Sequence, residues 1–334
     1  MKASHQVVRG FSSRALLVLL ITLISGFSSI GAGQIRALSG HVPPASGLVQ
    51  PLAPLAGSVA LQLALSLPLR NQAALTNLLR ELYDPASPNY HHFLSSAQFT
   101  AAFGPTEQDY QTVINFAQSN GFNVISTFSN RALLEVNGRV SDIENAFHVR
   151  LRSFQHPSEP RTFYAPDVEP SVDSNIPLLY IGGLANYQLP HPSSFHAVPL
   201  ANANNLHSNS GSVGGYYVGQ DLRSAYVPGV TNIGSGQSIG LVEFDGYYAA
   251  DITQYLALPQ IGLTSSVTLS NINLGLTGSP GSGNGEVDLD IDMAISMAPG
   301  LSTIYVYEAP NNSASPDIVL NRIASDNLSR QLSC

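Results

Sequence analysis

Cysteine, lysine and tryptophan are almost missing from this sequence of 334 residues. It has one cysteine, Cys334, at the last position, one lysine, Lys2, and no tryptophan. A single cysteine excludes an internal disulfide, so side-chain packing has to stabilise the fold. With a net charge of −8 the chain lacks the basic surface that nucleic-acid binding and membrane-surface binding require. We therefore expect no nucleic-acid partner, and no membrane partner once the N-terminal segment described below has been removed.

Basic residues and histidines are also scarce in the second part of the chain. Residues 212–334 hold three basic and 11 acidic residues, whereas residues 1–211 hold 11 of each. All nine histidines lie between His5 and His207. Such different electrostatic characters indicate two domains, for which the chain is long enough.

The N-terminus has the three-part pattern of a secretory signal. Lys2, Arg9 and Arg14 precede an apolar run over 15–27, and small residues follow as far as Gly33. The run has roughly 13 residues, too few to span a bilayer, which takes about 20. We predict a signal peptide over 1–33 with cleavage near Ala32, and hence a secreted, extracellular protein. An uncleaved membrane anchor is the alternative.

Residues 34–56 are predicted to be a linker, since proline, serine and glycine are frequent there. From residue 57 to 190 the periodicity predicts strand, helix, short helix, helix, two strands, helix and strand. Thr106 with Asp109 and Ser141 with Glu144 have the spacing of capping boxes at helix starts. This order favours a compact α+β sheet of ferredoxin-like type, with its helices on one face.

Residues 191–215 are rich in proline, asparagine, serine, glycine and histidine, which is typical of an exposed, cleavable connector. From residue 216 to 334 the pattern changes to α/β. It predicts buried strands over 238–244 and 302–307, and helices over 251–258, 286–297 and 316–332. Right-handed strand–helix–strand crossovers would join these elements.

Four carboxylates occur within seven residues in the stretch GEVDLDIDMAISMAPG. Glu286 and Asp290 lie one helical turn apart, as do Asp288 and Asp292, and like charges at this spacing disfavour a helix. Acids are favourable at a helix N-terminus, which accounts well for Glu286 and Asp288 but less well for Asp290 and Asp292. An EF-hand does not fit, because Met293 and Pro299 stand where that loop needs glycine and a bidentate glutamate.

Adjacent His91 and His92 are better explained by loop contacts than by metal binding.

Residues 55–334 resemble the sedolisin family of serine-carboxyl peptidases, in particular its kumamolisin-like members. The segments SPNYHHFLSSAQFTAAFGPT and NRALLEVNGRVSDIENAFHV resemble the activation prodomain in order and spacing. The segments IGLVEF and GEVDLDIDMAISMAPG resemble the start of the catalytic domain, with the family's Glu-x-x-x-Asp pair at Glu286 and Asp290. The resemblance implies a ferredoxin-like prodomain, then the first part of a subtilisin-like parallel-sheet domain, over 216–334.

By this resemblance Glu286 is the general base for a serine nucleophile and Asp290 orients Glu286 through a hydrogen bond. Glu243 matches an acid that some members place behind the base; an acid facing solvent is the alternative. The chemistry suits acid pH, where a histidine base would be almost entirely protonated but a glutamate can still accept and return a proton. Protein or peptide substrates and an inhibitory prodomain within the chain are the implied partners.

The sequence also departs from the family. It contains no Gly-Thr-Ser, where the nucleophile would lie, and no Ser-Trp-Gly, which precedes the oxyanion aspartate. The family's calcium loop, near its C-terminus, is not found either, so we predict no cofactor for these residues. We expect a truncated zymogen portion that is inactive as given. The alternative is a non-catalytic secreted inhibitor or folding module of prodomain type.

Overall fold

A computed structural model describes residues 34–191, 219–257 and 264–334. The predicted signal peptide lies outside these residues, and of the predicted processing linker only His191 lies within them. Of the helices in these ranges, none is both long and apolar enough to cross a membrane.

The described residues form a mixed α/β structure. The strands are β1 (Ile35–Ala37), β2 (Pro51–Pro54), β3 (Ala60–Ser66), β4 (Asn123–Thr127), β5 (Leu133–Arg139), β6 (Leu151–Gln155), β7 (Thr162–Pro166), β8 (Ser171–Asp173), β9 (Tyr180–Gly182), β10 (Ser238–Glu243), β11 (Thr268–Asn273), β12 (Thr303–Glu308) and β13 (Gln331–Ser333). The helices are α1 (Gln72–Glu81), α2 (Ser96–Phe103), α3 (Glu107–Ser119), α4 (Val140–Phe147), α5 (Gln220–Tyr226), α6 (Ala249–Ala257), α7 (Asn284–Met297) and α8 (Ser315–Asp326), with a short 3-10 helix at Pro44–Gly47.

The first part of the chain is built on an antiparallel sheet in the order β4-β5-β3-β9. Leu63 and Leu65 of β3 alternate along the strand and pack with Val113 of α3 and Phe147 of α4 in the main core. A smaller sheet, β2-β6-β7, and the β1–β8 pair complete this part.

The last part of the chain is built on a parallel sheet in the order β11-β12-β10-β13. Leu241 of β10 packs on one face in a cluster with α6 and α7. Val242, the next residue, points to the other face and packs with Val319 of α8. Successive residues of a strand point to opposite faces, so helices cover both faces of this sheet.

Helix α8 joins the two parts. Its Ile318, together with Ala314, is buried against Ala64, Phe128 and Leu133 on the second face of the antiparallel sheet. Two side-chain hydrogen bonds border this contact, from Asn130 Nδ2 to Asn321 Oδ1 and from Asn312 Nδ2 to Gln62 Oε1, both 2.7 Å long. The antiparallel sheet is therefore covered on both faces.

Several sequence-based expectations differ from the structure. The strand predicted over 149–154 as the last of the ferredoxin-like sheet corresponds to β6, which pairs with β2 and β7 in the smaller sheet, so β9 completes the four-stranded sheet instead. Residues 34–56, predicted as a linker, contain β1 and β2, because their backbone pairs with β8 and β6. Helix α4 begins at Val140 without a side-chain cap, so the box at Ser141 and Glu144 does not form. The last helix ends at Asp326, because Asn327 adopts a left-handed conformation (φ 50°) that ends helices. The residues after it form β13 on the edge of β10.

Candidate active site

Helix α7 carries a buried apolar stripe with acids on either side of it. The stripe consists of residues spaced four apart, Val287, Ile291 and Ile295, which pack on the parallel sheet. Glu286 and Asp290 each precede a stripe residue, whereas Asp288 and Asp292 each follow one. On a helix the two acid pairs therefore lie on opposite sides of the stripe. This geometry separates the four carboxylates into two groups.

The first group meets two further acids at the carboxyl end of the sheet. Glu243 is the last residue of β10 and Glu308 the last of β12, and the two are register partners. Their side chains are 2% and 6% exposed, respectively. The solvent-facing alternative for Glu243 is therefore wrong, because the sheet and α7 enclose this side chain.

Burial and mutual repulsion raise the pKa values of the carboxyl groups in this group. Burial raises the pKa of Glu243 to about 9, and the charges of Asp290, Glu286 and Glu308, in that order, contribute to the rise. Burial, then the charge of Asp290, raises the pKa of Glu286, and burial raises that of Asp290. Oε1 of Glu243 is buried without a hydrogen-bond partner. Carboxyl groups coupled in this way titrate together.

No cation compensates these acids in the described ranges, where none of the ion pairs includes Glu243, Glu286, Asp290 or Glu308. The hydrogen bond expected between Asp290 and Glu286 is likewise not formed between the described side chains. The two residues interact through charge, and the orienting role of Asp290 stays a prediction.

Asp245 connects the end of β10 to the start of α7. Its Oδ1 accepts the N–H of Gly281 and its Oδ2 accepts the N–H of Gly283, both at 2.8 Å. A Cβ atom on either glycine would lie within 3.0 Å of this carboxylate, so the close approach requires glycine. Gly283 is the N-cap of α7 and has no side chain to satisfy the helix start. Asp245, which follows β10, instead accepts the backbone N–H group of Gly283 at the start of the helix.

The second acid group lies towards α6. Burial raises the pKa of Asp288 to about 6, with a contribution from the charge of Asp251 on α6. Burial also raises the pKa of Asp292 to about 7, with contributions from Asp288 and then Asp251. Asp292 is 9% exposed, and its Oδ1 has no hydrogen-bond partner.

A cavity of about 480 Å³ opens beside the first acid group. Glu286, Asp245 and Gly283 line one side, and Pro190 and His191 line another. The Nδ2 of Asn311 donates a hydrogen bond of 2.8 Å to the carbonyl of Pro190. The end of the antiparallel part therefore reaches the cavity that holds Glu286. A larger cavity, about 600 Å³, lies beside α3 and α4 and contains none of these acids.

The structure thus brings together Glu243, Glu286 and Asp290, the three residues selected from the sequence. It adds two that the sequence reasoning missed, Glu308 and Asp245. A signal for Glu308 was available, because the carboxyl ends of parallel strands meet at one edge of a sheet. Glu308 ends a buried strand just as Glu243 does.

In the parts of the chain that the structure describes, no group of three or more histidine, cysteine or acidic residues is arranged to hold a metal ion. His91 instead stacks on Tyr90, with ring centroids 3.8 Å apart. The calcium that the resemblance places in a C-terminal loop finds no ligand set among these residues, and no step below involves it.

Comparison with known proteins gives consistent matches. Residues 50–187 match the family described as the pro-kumamolisin activation domain. Sedolisin of Pseudomonas sp. (strain 101) is 31% identical over 153 residues, 43% of this chain and 26% of that protein. Xanthomonalisin of Xanthomonas sp. (strain T-22) is 23% identical over 298 residues, 81% of this chain and 34% of that protein. Kumamolisin of Bacillus sp. (strain MN-32) is 29% identical over 235 residues, 68% of this chain and 42% of that protein.

The chain therefore spans between 26% and 42% of the length of these relatives. The activation-domain match ends at residue 187, three residues before the cavity-lining Pro190. The match to xanthomonalisin covers 81% of the chain and so extends well beyond that domain. The chain is therefore similar to part of each of these three proteins, and its residues 50–187 are similar to the pro-kumamolisin activation domain.

Proposed function

We propose that these residues are the zymogen portion of a secreted serine-carboxyl endopeptidase that acts at acid pH. Glu286 is the general base, Asp290 orients it, and Glu243 lies behind it. The observation that carries the proposal is a cluster of four carboxyl groups, two buried and two half-buried, which forms no ion pair among the described residues and lies beside a cavity that the end of the activation domain reaches. We propose 1–33 as the signal peptide, 57–190 as the activation domain, 191–215 as the processing linker and 216–334 as part of the catalytic domain.

The electrostatics of the cluster suit proton transfer in acid. A general base works best when its pKa lies near the working pH. Burial, and then the charge of Asp290, raises the pKa of Glu286 from its ordinary value, so the residue is a stronger base than an exposed glutamate. Glu243, with its pKa raised to about 9, stays protonated and uncharged there. A neutral acid behind the base leaves the negative charge of the group to Glu286 and Asp290.

The arrangement of the chain supports the proposed fold assignments. The order β4-β5-β3-β9 places the second, third, first and last of these strands side by side, as in ferredoxin-like sheets. The parallel order β11-β12-β10-β13, with helices on both faces, supports a subtilisin-like α/β domain. A substrate-excluding role of the activation domain is supported by Pro190 and His191, which line the cavity beside Glu286.

The test is processing of the complete gene product that contains these residues. Incubation at about pH 4 should produce a new N-terminus within 191–215, and Glu286→Gln should abolish both this cleavage and the hydrolysis of a denatured protein substrate. Asp292→Asn is the matched control, because Asp292 is an acid of the same helix on the opposite side of the apolar stripe. It should process as the unmodified protein does.

Processing of the Glu286→Gln protein at the normal rate would refute the assigned base. If no cleavage occurs between pH 3 and 7, the non-catalytic alternative gains support, and a second assay then applies. Purified 1–334 is added to an active acid peptidase of the same family. Inhibition without any Glu286-dependent turnover would identify an inhibitor module instead of an enzyme zymogen.

A further inference from the structure

His41 lies buried at the outer edge of the antiparallel sheet. The residue follows β1 in the chain and is 3% exposed. Its ring stacks on that of Tyr180, with ring centroids 4.3 Å apart. Its Nε2 lies 3.0 Å from the backbone N–H of Ile181. Its Nδ1 lies 3.1 Å from the carbonyl of Leu38 and 3.4 Å from Oε2 of Glu169. Both ring nitrogens therefore have a partner.

These partners determine the protonation state of the ring. An amide N–H can only donate, so Nε2 of His41 has to be the bare, accepting nitrogen. A carbonyl and a carboxylate can only accept, so Nδ1 carries the proton. The contacts thus select the neutral Nδ1–H tautomer. A second proton would place an N–H on Nε2 directly against the N–H of Ile181, and the hydrogen bond would be lost.

The N–H of Ile181 belongs to a sheet edge that no other strand of the described residues covers. Strand β9 is the last strand of its sheet and pairs with β3 on one side only, where Ile181 is opposite Leu65. An unpaired edge group is a weak point of a sheet. His41 satisfies the edge N–H at the centre of the three-residue strand, and eight residues after β9 the chain reaches Pro190 in the cavity of Glu286.

We propose that His41 is a proton-operated latch, which holds β9 when its ring is neutral and releases this strand when the ring takes up a proton. Release of β9 would loosen the segment of the activation domain that leads to Pro190 and His191. The latch itself stands on the contacts of His41, whereas its effect on the cavity of Glu286 rests on the proposed function.

The charged and titratable groups around the ring set the direction of its response. The negative charge of Glu169 favours protonated His41. Its carboxylate, however, already accepts hydrogen bonds from the backbone N–H groups of Gly40 and His41, at 3.1 and 2.9 Å. Tyr180 stays neutral, because burial and then the charges of Asp317 and Glu169 raise its pKa. Arg36 is occupied by the carbonyls of Ile176 and Leu178. Burial prevails over Glu169 and lowers the pKa of His41.

The sign of the effect follows from this lowered pKa. We call the state closed when His41 accepts the N–H of Ile181, and open when β9 has separated from His41 and the ring is solvated. Below the ordinary histidine pKa of about 6.5, His41 binds a proton in the open state but not in the closed state. The closed state is therefore fully favoured above about pH 6.5 and loses stability as the pH falls below it. One proton changes the opening equilibrium by up to about tenfold per pH unit.

The test is hydrogen exchange at the Ile181 amide in the 1–334 chain, measured by NMR between pH 7.5 and 5 and corrected for intrinsic exchange. We expect the protection of Ile181 to fall by up to about tenfold per pH unit below about pH 6.5. His41→Gln supplies an amide oxygen that accepts the same N–H but cannot titrate, so this dependence should disappear. Imidazole ¹⁵N shifts of the unmodified chain should show the neutral Nδ1–H tautomer at pH 7.5, which tests the latch even if the variant misfolds.

His148→Asn is the control. His148 is exposed, and within the described residues its ring hydrogen-bonds with Ser171, whose carbonyl lies 3.1 Å from Nδ1. Asparagine tolerates the positive φ of 57° at this position. The pH profile of Ile181 should be unchanged in this variant. Protection that is independent of pH in the unmodified chain, an unchanged profile in His41→Gln, or an Nε2–H tautomer would overturn the latch. None of these readouts depends on catalysis, so they leave the assignment of Glu286 unaffected.

Discussion

Glu144 in the antiparallel part and two acids in the parallel part, Glu243 and Asp292, differ in whether the described residues supply hydrogen bonds to their carboxyl oxygens. In the antiparallel part, Glu144 accepts hydrogen bonds from Arg150 Nη1 at 2.9 Å and from the N–H of Leu151 at 2.8 Å. In the parallel part, Glu243 and Asp292 each bury an oxygen without a partner. An unpartnered buried polar group destabilises a fold, whereas a partnered one stabilises it. Glu243 and Asp292 therefore reduce the stability of the fold, whereas Glu144 contributes to it.

The largest change in stability that would test this comparison is expected for the substitution Glu243→Gln. The pKa of Glu243 is raised to about 9, so its contribution to stability is complete below its ordinary pKa and is lost as the pH rises towards 9. One pKa unit corresponds to about 1.4 kcal/mol, and we expect Glu243→Gln to stabilise the 1–334 chain by about 3 kcal/mol at pH 7. Urea unfolding at pH 4.5, 7 and 8.5 measures this. A variant that is destabilised at pH 7 would show that the carboxylate is partnered after all.

An effect of the same sign, with a smaller maximum, is expected for Asp292. Its pKa is raised to about 7, so the loss of stability occurs between its ordinary pKa and pH 7 and increases little beyond. We expect Asp292→Asn to stabilise the chain by about 4 kcal/mol at pH 7 and to have little effect at pH 3.5, whereas the effect of Glu243→Gln continues to grow to about 5 kcal/mol at pH 8.5. Hydrogen exchange of the α6 and α7 amides at the two pH values locates the gain. Equal effects at both values would contradict the direction of the shift.

The smallest effect has the opposite sign and lies in the antiparallel part. Glu144→Gln weakens the contacts with Arg150 and Leu151 and should destabilise the chain by about 1–2 kcal/mol at pH 7. The matched control is Glu107→Gln, because the Glu107 side chain is 92% exposed and lies 3.9 Å from Arg131. Exposed pairs of this kind contribute little, so the urea midpoint should hardly move. Stabilisation by Glu144→Gln would remove the contrast between the two regions.

The sequence predicted helices and strands well where the spacing of apolar residues was regular or where a capping box marked the start of a helix. The box of Thr106 and Asp109 forms as predicted, with Thr106 Oγ1 accepting the N–H of Asp109 at 3.0 Å. The box at Ser141 does not form, because Glu144 binds residues beyond its own helix. Strand β11 was missed because its polar residues are held by pairing with β12 and not by an apolar pattern.

The candidate site was predictable only in part for a related reason. Glu286 and Asp290 share one helix, so their spacing alone indicates a pair. Glu308 joins them only through the register of β10 and β12, which are more than 50 residues apart in the chain. Asp245 joins them through backbone N–H groups of a glycine loop, which side-chain patterns do not reveal. The capping of β9 by His41 depends in the same way on contacts across 140 residues.

The contact of α8 with the antiparallel sheet has a consequence for the lifetime of any cleaved form. Ile318 and Ala314 are buried together with Leu133 and Ala64, so the two regions hold each other through an apolar interface as well as through the chain. Cutting the connector removes only the covalent tether, and with it the high effective concentration that keeps the two regions together. Scission and dissociation are then separate events. The second depends on dilution, so a cut but undissociated complex would persist longest where the protein is most concentrated.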